Sequence, residues 1–173
     1  MSTSSEEGGR LLEPAAAADI GDLVALTRDC VAHMRSLSID QWDEVYPDEA
    51  VLARDIAEGT QYVMREGGRL VACLALDRRL DSLWDGLDWS PDGDPAGAIH
   101  RVMVHPGQQG RGLAARLVTE AEAMAREQGL RSIRLDCFSL NPAALRLYEK
   151  LGYRRTGEAM MRKGVFVGFE KRV

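Results

Sequence analysis

The stretch from Ala98 to Phe138 limits the fold more than any other part of the chain. AIHRVMV (98–104) is an apolar run of strand length, GLAARLVTEAEAMAREQG (112–129) reads as a helix closed by Gly129, and SIRLDCF (132–138) is strand-like again. Strand, helix, strand over this length is a βαβ unit, so the two strands are expected to be parallel neighbours. HPGQQGRG (105–112) joins the first strand to the helix and leaves much of its backbone bare. The first amides of a helix have no internal partner and carry the positive end of its dipole, which makes such a start a ready anion site. Gly110 and Gly112 remove side chains there, and Arg111 adds a positive charge.

The remaining elements follow from periodicity and punctuation. Residues 11–14 read as a first strand, and Asp19 is expected to cap a helix carrying Ile20, Leu23, Val24, Leu26 and Val31. Trp42 and Tyr46 precede the break at Pro47, and 48–59 is a second helix ending at Gly59. Runs 60–66 and 69–77, joined by Gly67 and Gly68, form a hairpin; 77–95 is a long irregular loop. Residues 141–152 make a shorter helix, and 153–160 and 165–173 are strands that pair across 162–164. The expectation is an α/β (α+β) fold. Its central sheet of six or seven strands is mixed and mostly antiparallel, with one parallel pair and helices on both faces. Residues 1–10 are read as a flexible tail without the features of a secretory signal, and 11–173 as one domain.

Composition excludes several partners. The chain has no apolar run of ~18 residues, so no membrane span is expected. A net charge of −5 disfavours nucleic acid, whose phosphates call for clustered Lys and Arg. Cys30, Cys73 and Cys137 are odd in number and lie in apolar surroundings, which fits a reducing cytoplasm. No His/Cys cluster has metal-ligand spacing, and the aspartates do not follow a calcium-loop pattern, so no metal is expected.

Three phosphate-site readings compete for the glycine stretch. A nucleotide P-loop fails because Leu113 follows Gly112 where Lys and Ser/Thr are required. GRGLAA (110–115), with Asp136 downstream, satisfies a dinucleotide fingerprint, but HPGQQ intervenes after the strand and too little chain follows for the second half of such a sheet. The third reading is a resemblance. VHPGQQGRGLA is similar to the Gln/Arg-x-x-Gly-x-Gly/Ala signature of the GNAT family of N-acetyltransferases, with Gln109, Gly112 and Ala114 at its fixed positions. NPAALRLYEKLGY (141–153) resembles that family's second segment, and the correspondence runs from about residue 98 to 157.

The resemblance implies acetyl-CoA as acetyl donor and direct transfer to a primary amine of a small molecule or peptide. It implies cofactor contacts at Gln109, Gly110, Arg111, Gly112, Leu113 and Ala114, with Val102, Met103 and Val104 offering backbone to the pantetheine arm and Asn141 and Tyr148 completing the site. Tyr148 matches the family tyrosine near the thioester sulfur, a general acid for the leaving thiolate. A glutamate of histone-type relatives aligns with Ala98 here, which puts a direct carboxylate base at that position in doubt. His100, on the same strand face, is the candidate to take the amine's proton, directly or through water, ahead of His33 and His105. Trp42, Tyr46 and Trp84, with Asp81, Asp85 and Asp88, are candidates for an aromatic, acidic acceptor pocket. The alternative function is a non-catalytic acyl-CoA-binding sensor. A homodimer is the assembly to test.

Overall fold

The computed structural model describes residues 10–173. The expected tail lies outside the described residues except for Arg10, which pairs with Glu127 at 2.6 Å. In chain order the elements are β1 (Glu13–Pro14), α1 (Ile20–Ser36), α2 (Glu49–Ala57), β2 (Gln61–Glu66), β3 (Arg69–Asp77), β4 (Ala96–Val104), α3 (Leu113–Glu127), β5 (Ser132–Phe138), α4 (Pro142–Lys150), β6 (Arg154–Met161) and β7 (Gly164–Arg172). The strands form one sheet in the order β1-β2-β3-β4-β5-β7-β6. Only β4 and β5 run parallel among the described residues, as the βαβ reading requires.

Alternation along the strands divides the core between the two faces. Met64, Leu74, Leu76 and Ile99 pack under α3 and α4, where Leu117, Val118, Ala121 and Tyr148 meet them. Val63, Cys73 and Met103 point the other way, onto Leu23, Leu26 and Cys30 of α1 and Leu52 of α2. Full burial of each such leucine contributes roughly 1.5–3 kcal/mol. The helices therefore cover both faces of the sheet.

Two expectations at the start of the chain change. The first strand is only Glu13–Pro14, because the amides of Leu11 and Leu12 donate to the Glu120 carboxylate at 3.0 and 2.9 Å instead of to a neighbouring strand. Asp19 does not cap α1 through its side chain; its carboxylate accepts from the Ala16 amide at 2.8 Å and pairs with Arg65.

Two irregularities shape the centre of the molecule. The β4–β5 ladder contains only Ala96↔Ser132, Gly97↔Ile133 and Ala98↔Arg134, and beyond Ala98 the two strands part. On the other side of β4, the register with β3 slips between Cys73 and Ala75, opposite Arg101, whose φ of 51° lies in the left-handed region. A non-glycine residue held there stores strain, which the buried ion pair described below helps to offset.

Candidate active site

Where β4 and β5 part, a cavity of about 670 Å3 opens through the sheet. One end is built from backbone. Residues 99–104 of β4 line it, and beyond Ala98 no strand among the described residues pairs with β4 on its β5 side, so Val102, Met103 and Val104 present a strand edge to the cavity. The glycine loop follows. Gln109 Nε2 donates to the Val104 carbonyl at 3.1 Å and ties the loop to the strand end. Gly112 precedes α3 with φ of 75° and supplies no side-chain cap, so the first amides of this fifteen-residue helix have no partner among the described residues. Gly110, Gly112, Leu113 and Ala114 all line the cavity, and a Cβ built on either glycine would meet open space. Donor amides with room before them fit the diphosphate of a coenzyme. Arg111 is turned aside: its guanidinium pairs with Glu66 at 2.9 Å and also bonds Gln108.

α4 closes this end. Asn141 Oδ1 accepts from the Ala144 amide at 3.2 Å and caps the helix, while its Nδ2 donates to Gln41 Oε1 at 2.9 Å. Tyr148 lies against Tyr153 and Phe169 and also lines the cavity. Burial pushes its phenol pKa well above the ordinary tyrosine range, so the group remains a protonated donor at neutral pH.

The other end is made of side chains from distant segments. His100 Nε2 lies 3.3 Å from Asp77 Oδ1, and its ring stacks on Trp84 with centroids 5.8 Å apart. Burial opposes ionisation of Asp77, but His100 and the Arg79 amide outweigh it and hold the carboxyl below its usual range. Trp84 Nε1 donates to Asp136 Oδ2 at 2.9 Å. Trp84 is not a cavity wall, unlike the expectation: it is 1% exposed, packed behind the wall on Leu87 and Ala98. Asp81 reaches the cavity, whereas Asp85 and Asp88 do not. His33 lines it, and His105 instead accepts from the Gly107 amide.

Trp42 and Tyr46 stand on the segment between α1 and α2 and do line the cavity. That segment is fastened across the opening. Arg162 makes two 2.8 Å bonds to Asp43, Lys163 reaches Asp40 at 2.7 Å, and Tyr46 Oη accepts from Arg101 Nη1 at 2.8 Å. Arg101 in turn is paired with the fully buried Asp55 beneath it. Sequence reading places Asp136 only in a dinucleotide fingerprint and residues 162–164 only in a turn, and it does not bring them or Arg101 to this cavity, because nothing local marks residues that meet only through the sheet.

Cys30 and Cys137 also border the cavity, and burial pushes both thiols up to about 12. Neither is a thiolate nucleophile at neutral pH. Among the described residues no group of three or more His, Cys, Asp or Glu can hold a metal ion, and no helix is long and apolar enough to cross a membrane.

The family model described as "Acetyltransferase (GNAT) family" matches residues 31–153. S-(2-succino)cysteine N-acetyltransferase of Bacillus subtilis is 25% identical over 158 residues, covering 89% of this chain and 90% of that protein. Mycothiol acetyltransferase of Streptosporangium roseum is 40% identical over 62 residues, 36% of this chain but only 18% of the relative. The crystal structure of a GNAT-family acetyltransferase from Streptococcus agalactiae superposes with a TM-score of 0.83 at 23% identity, covering 94% of both chains.

Proposed function

The chain belongs to the GNAT acetyltransferase family, and on that premise we propose that it moves the acetyl group of acetyl-CoA directly to a primary amine of a small molecule. The observation that carries this reading is the lapse of β4–β5 pairing beside the uncapped start of α3, which supplies a strand edge and an anion site in one cavity. Acetyl-CoA, when bound, supplies the thioester and its leaving thiol. The amides of Leu113, Ala114 and Ala115 would hold its diphosphate, with Gln109, Gly110 and Gly112 shaping the loop and Asn141 fixing α4 beside it. Val102, Met103 and Val104 would bond the extended arm as an added strand does.

Tyr148, kept protonated by burial, donates to the departing sulfur. His100, held by an ionised Asp77, carries the acceptor's proton away from the reacting nitrogen. Burial keeps both cavity thiols, Cys30 and Cys137, protonated, which supports transfer without an acyl-enzyme on either. Trp42 and Tyr46, on the strapped segment, shape the acceptor end. A small acceptor is supported by the relative that acetylates S-(2-succino)cysteine. The three buried free thiols support a cytoplasmic setting.

The test is thiol release from acetyl-CoA in the presence of spermidine, S-(2-succino)cysteine, kanamycin or a short peptide, with an amine-free control. Release that depends on one of these classes supports the reading. Tight acetyl-CoA binding with no amine-dependent release contradicts it.

A further inference from the structure

Asp136 has no part in the reading above, yet it lines the cavity on the strand that faces His100. We propose that Asp136 is the carboxylate that receives the acceptor's ammonium group and takes its first proton, with His100 across the gap passing that proton onward. This rests on the acetyl-transfer reading and deepens it.

The placement follows from the ladder. Ala98 and Arg134 form the last parallel rung, so His100 and Asp136, each two residues further, lie on the same face at corresponding positions on strands that have parted. Both line the cavity. Ala98 is fully buried and small, which lets Trp84 pack against it. That one indole stacks on His100 and donates to Asp136 Oδ2, so it fixes both groups on either side of the gap. Oδ1 of Asp136 has no hydrogen-bond donor among the described residues, and an incoming ammonium would supply one.

The groups facing Asp136 are His100 and Arg101 of β4, Asp81 of the loop between β3 and β4, and the uncharged Cys137 thiol and Tyr148 phenol. Burial pushes its pKa above the ordinary aspartate range, and Trp84, His100 and Arg101 oppose that rise only in part. A raised pKa brings the carboxyl closer to an ammonium, whose pKa is about 10, and makes the proton transfer less uphill. Asp77 stays ionised behind His100 and stabilises the imidazolium that forms.

The balance of the step is simple. The ammonium gives one proton to the Asp136 carboxylate, and through His100 that proton reaches solvent. The freed lone pair forms the C–N bond as the C–S bond breaks. The second proton lost by nitrogen matches the one gained by the sulfur, leaving amide, thiol and one released proton.

Asp136→Asn keeps the shape and the acceptor for Trp84. It is expected to leave the Kd of acetyl-CoA within about twofold, while transfer to the best amine of the panel falls about 100-fold near neutral pH. The loss is expected to shrink as pH rises toward the amine's own pKa, since the substrate then arrives deprotonated. In the free protein, a 13C carboxyl titration of Asp136 is expected above the usual value of about 4. The wild-type rate is accordingly expected to fall as pH drops through that raised pKa.

A loss in Asp136→Asn that is equal at every pH overturns the proton-accepting role. Wild-type turnover in Asp136→Asn alongside a large loss in His100→Gln makes His100 the direct base and also overturns it, leaving acetyl transfer intact. Silence of the wild-type protein toward every amine, with acetyl-CoA bound, overturns the acetyl-transfer reading and this one together.

Discussion

The two ends of the cavity are built from different materials. The glycine-loop end comes mainly from one nearly continuous stretch, β4 through the start of α3, with α4 closing it, and presents mainly backbone. The tryptophan end draws Trp42 and Tyr46, Asp77 to Trp84, His100, Asp136 and the Arg162–Lys163 turn from five separate segments, and presents side chains. A coenzyme common to many reactions can be held by groups every residue carries. An acceptor must be told apart by groups that only particular residues carry, and topology alone brings those together.

This contrast makes the two ends separable by mutation. The largest effect is expected where they meet: Tyr148→Phe should lower kcat on the order of 100-fold with acetyl-CoA affinity preserved, read from steady-state transfer and calorimetric binding. Unchanged turnover at every pH would remove the phenol from the reaction. Next, Gly112→Val forces a β-branched residue to hold φ of 75° at the start of α3. The strain of ~1–2 kcal/mol should weaken acetyl-CoA binding about tenfold, equally for every acceptor. An effect confined to one acceptor would break the division between the ends.

Asp43→Ala cuts the strap to Arg162 and Lys163 and should raise the KM of the amine about three- to fivefold without moving the acetyl-CoA constant. The pair is exposed at Arg162, so the effect is modest and should fade in high salt. Smallest of all, Arg111→Ala should change acetyl-CoA affinity by less than about threefold, because the guanidinium is already engaged with Glu66 outside the cavity. A larger loss would mean that Arg111 leaves Glu66 for the coenzyme.

The same contrast explains what could be read from the sequence. The βαβ unit, the hairpin at Gly67 and Gly68 and the parallel pair were legible because each depends on local period and turn chemistry. The glycine loop was legible for the same reason. In the sequence Asp136 stands out only as the acidic position of a dinucleotide fingerprint, and only the parting of β4 from β5 sets it opposite His100. The loop position of Trp84 suggests pocket lining, as aromatic residues in loops often provide. In the structure, the small Ala98 makes a seat for it, and it serves to hold its neighbours instead. Asp19 had the right residue type for a cap, but Ala16 and Arg65 claim its carboxylate.

The most direct test of the account is an amide-resolved NMR titration of the protein with acetyl-CoA. The account predicts that the largest changes fall on the amides of Val102 to Val104 and Leu113 to Ala115, with Trp84 and Asp136 little moved until an amine is added. Large changes elsewhere, with these two backbone segments unmoved, would contradict the assignment of the parted strands and the uncapped helix as the coenzyme site.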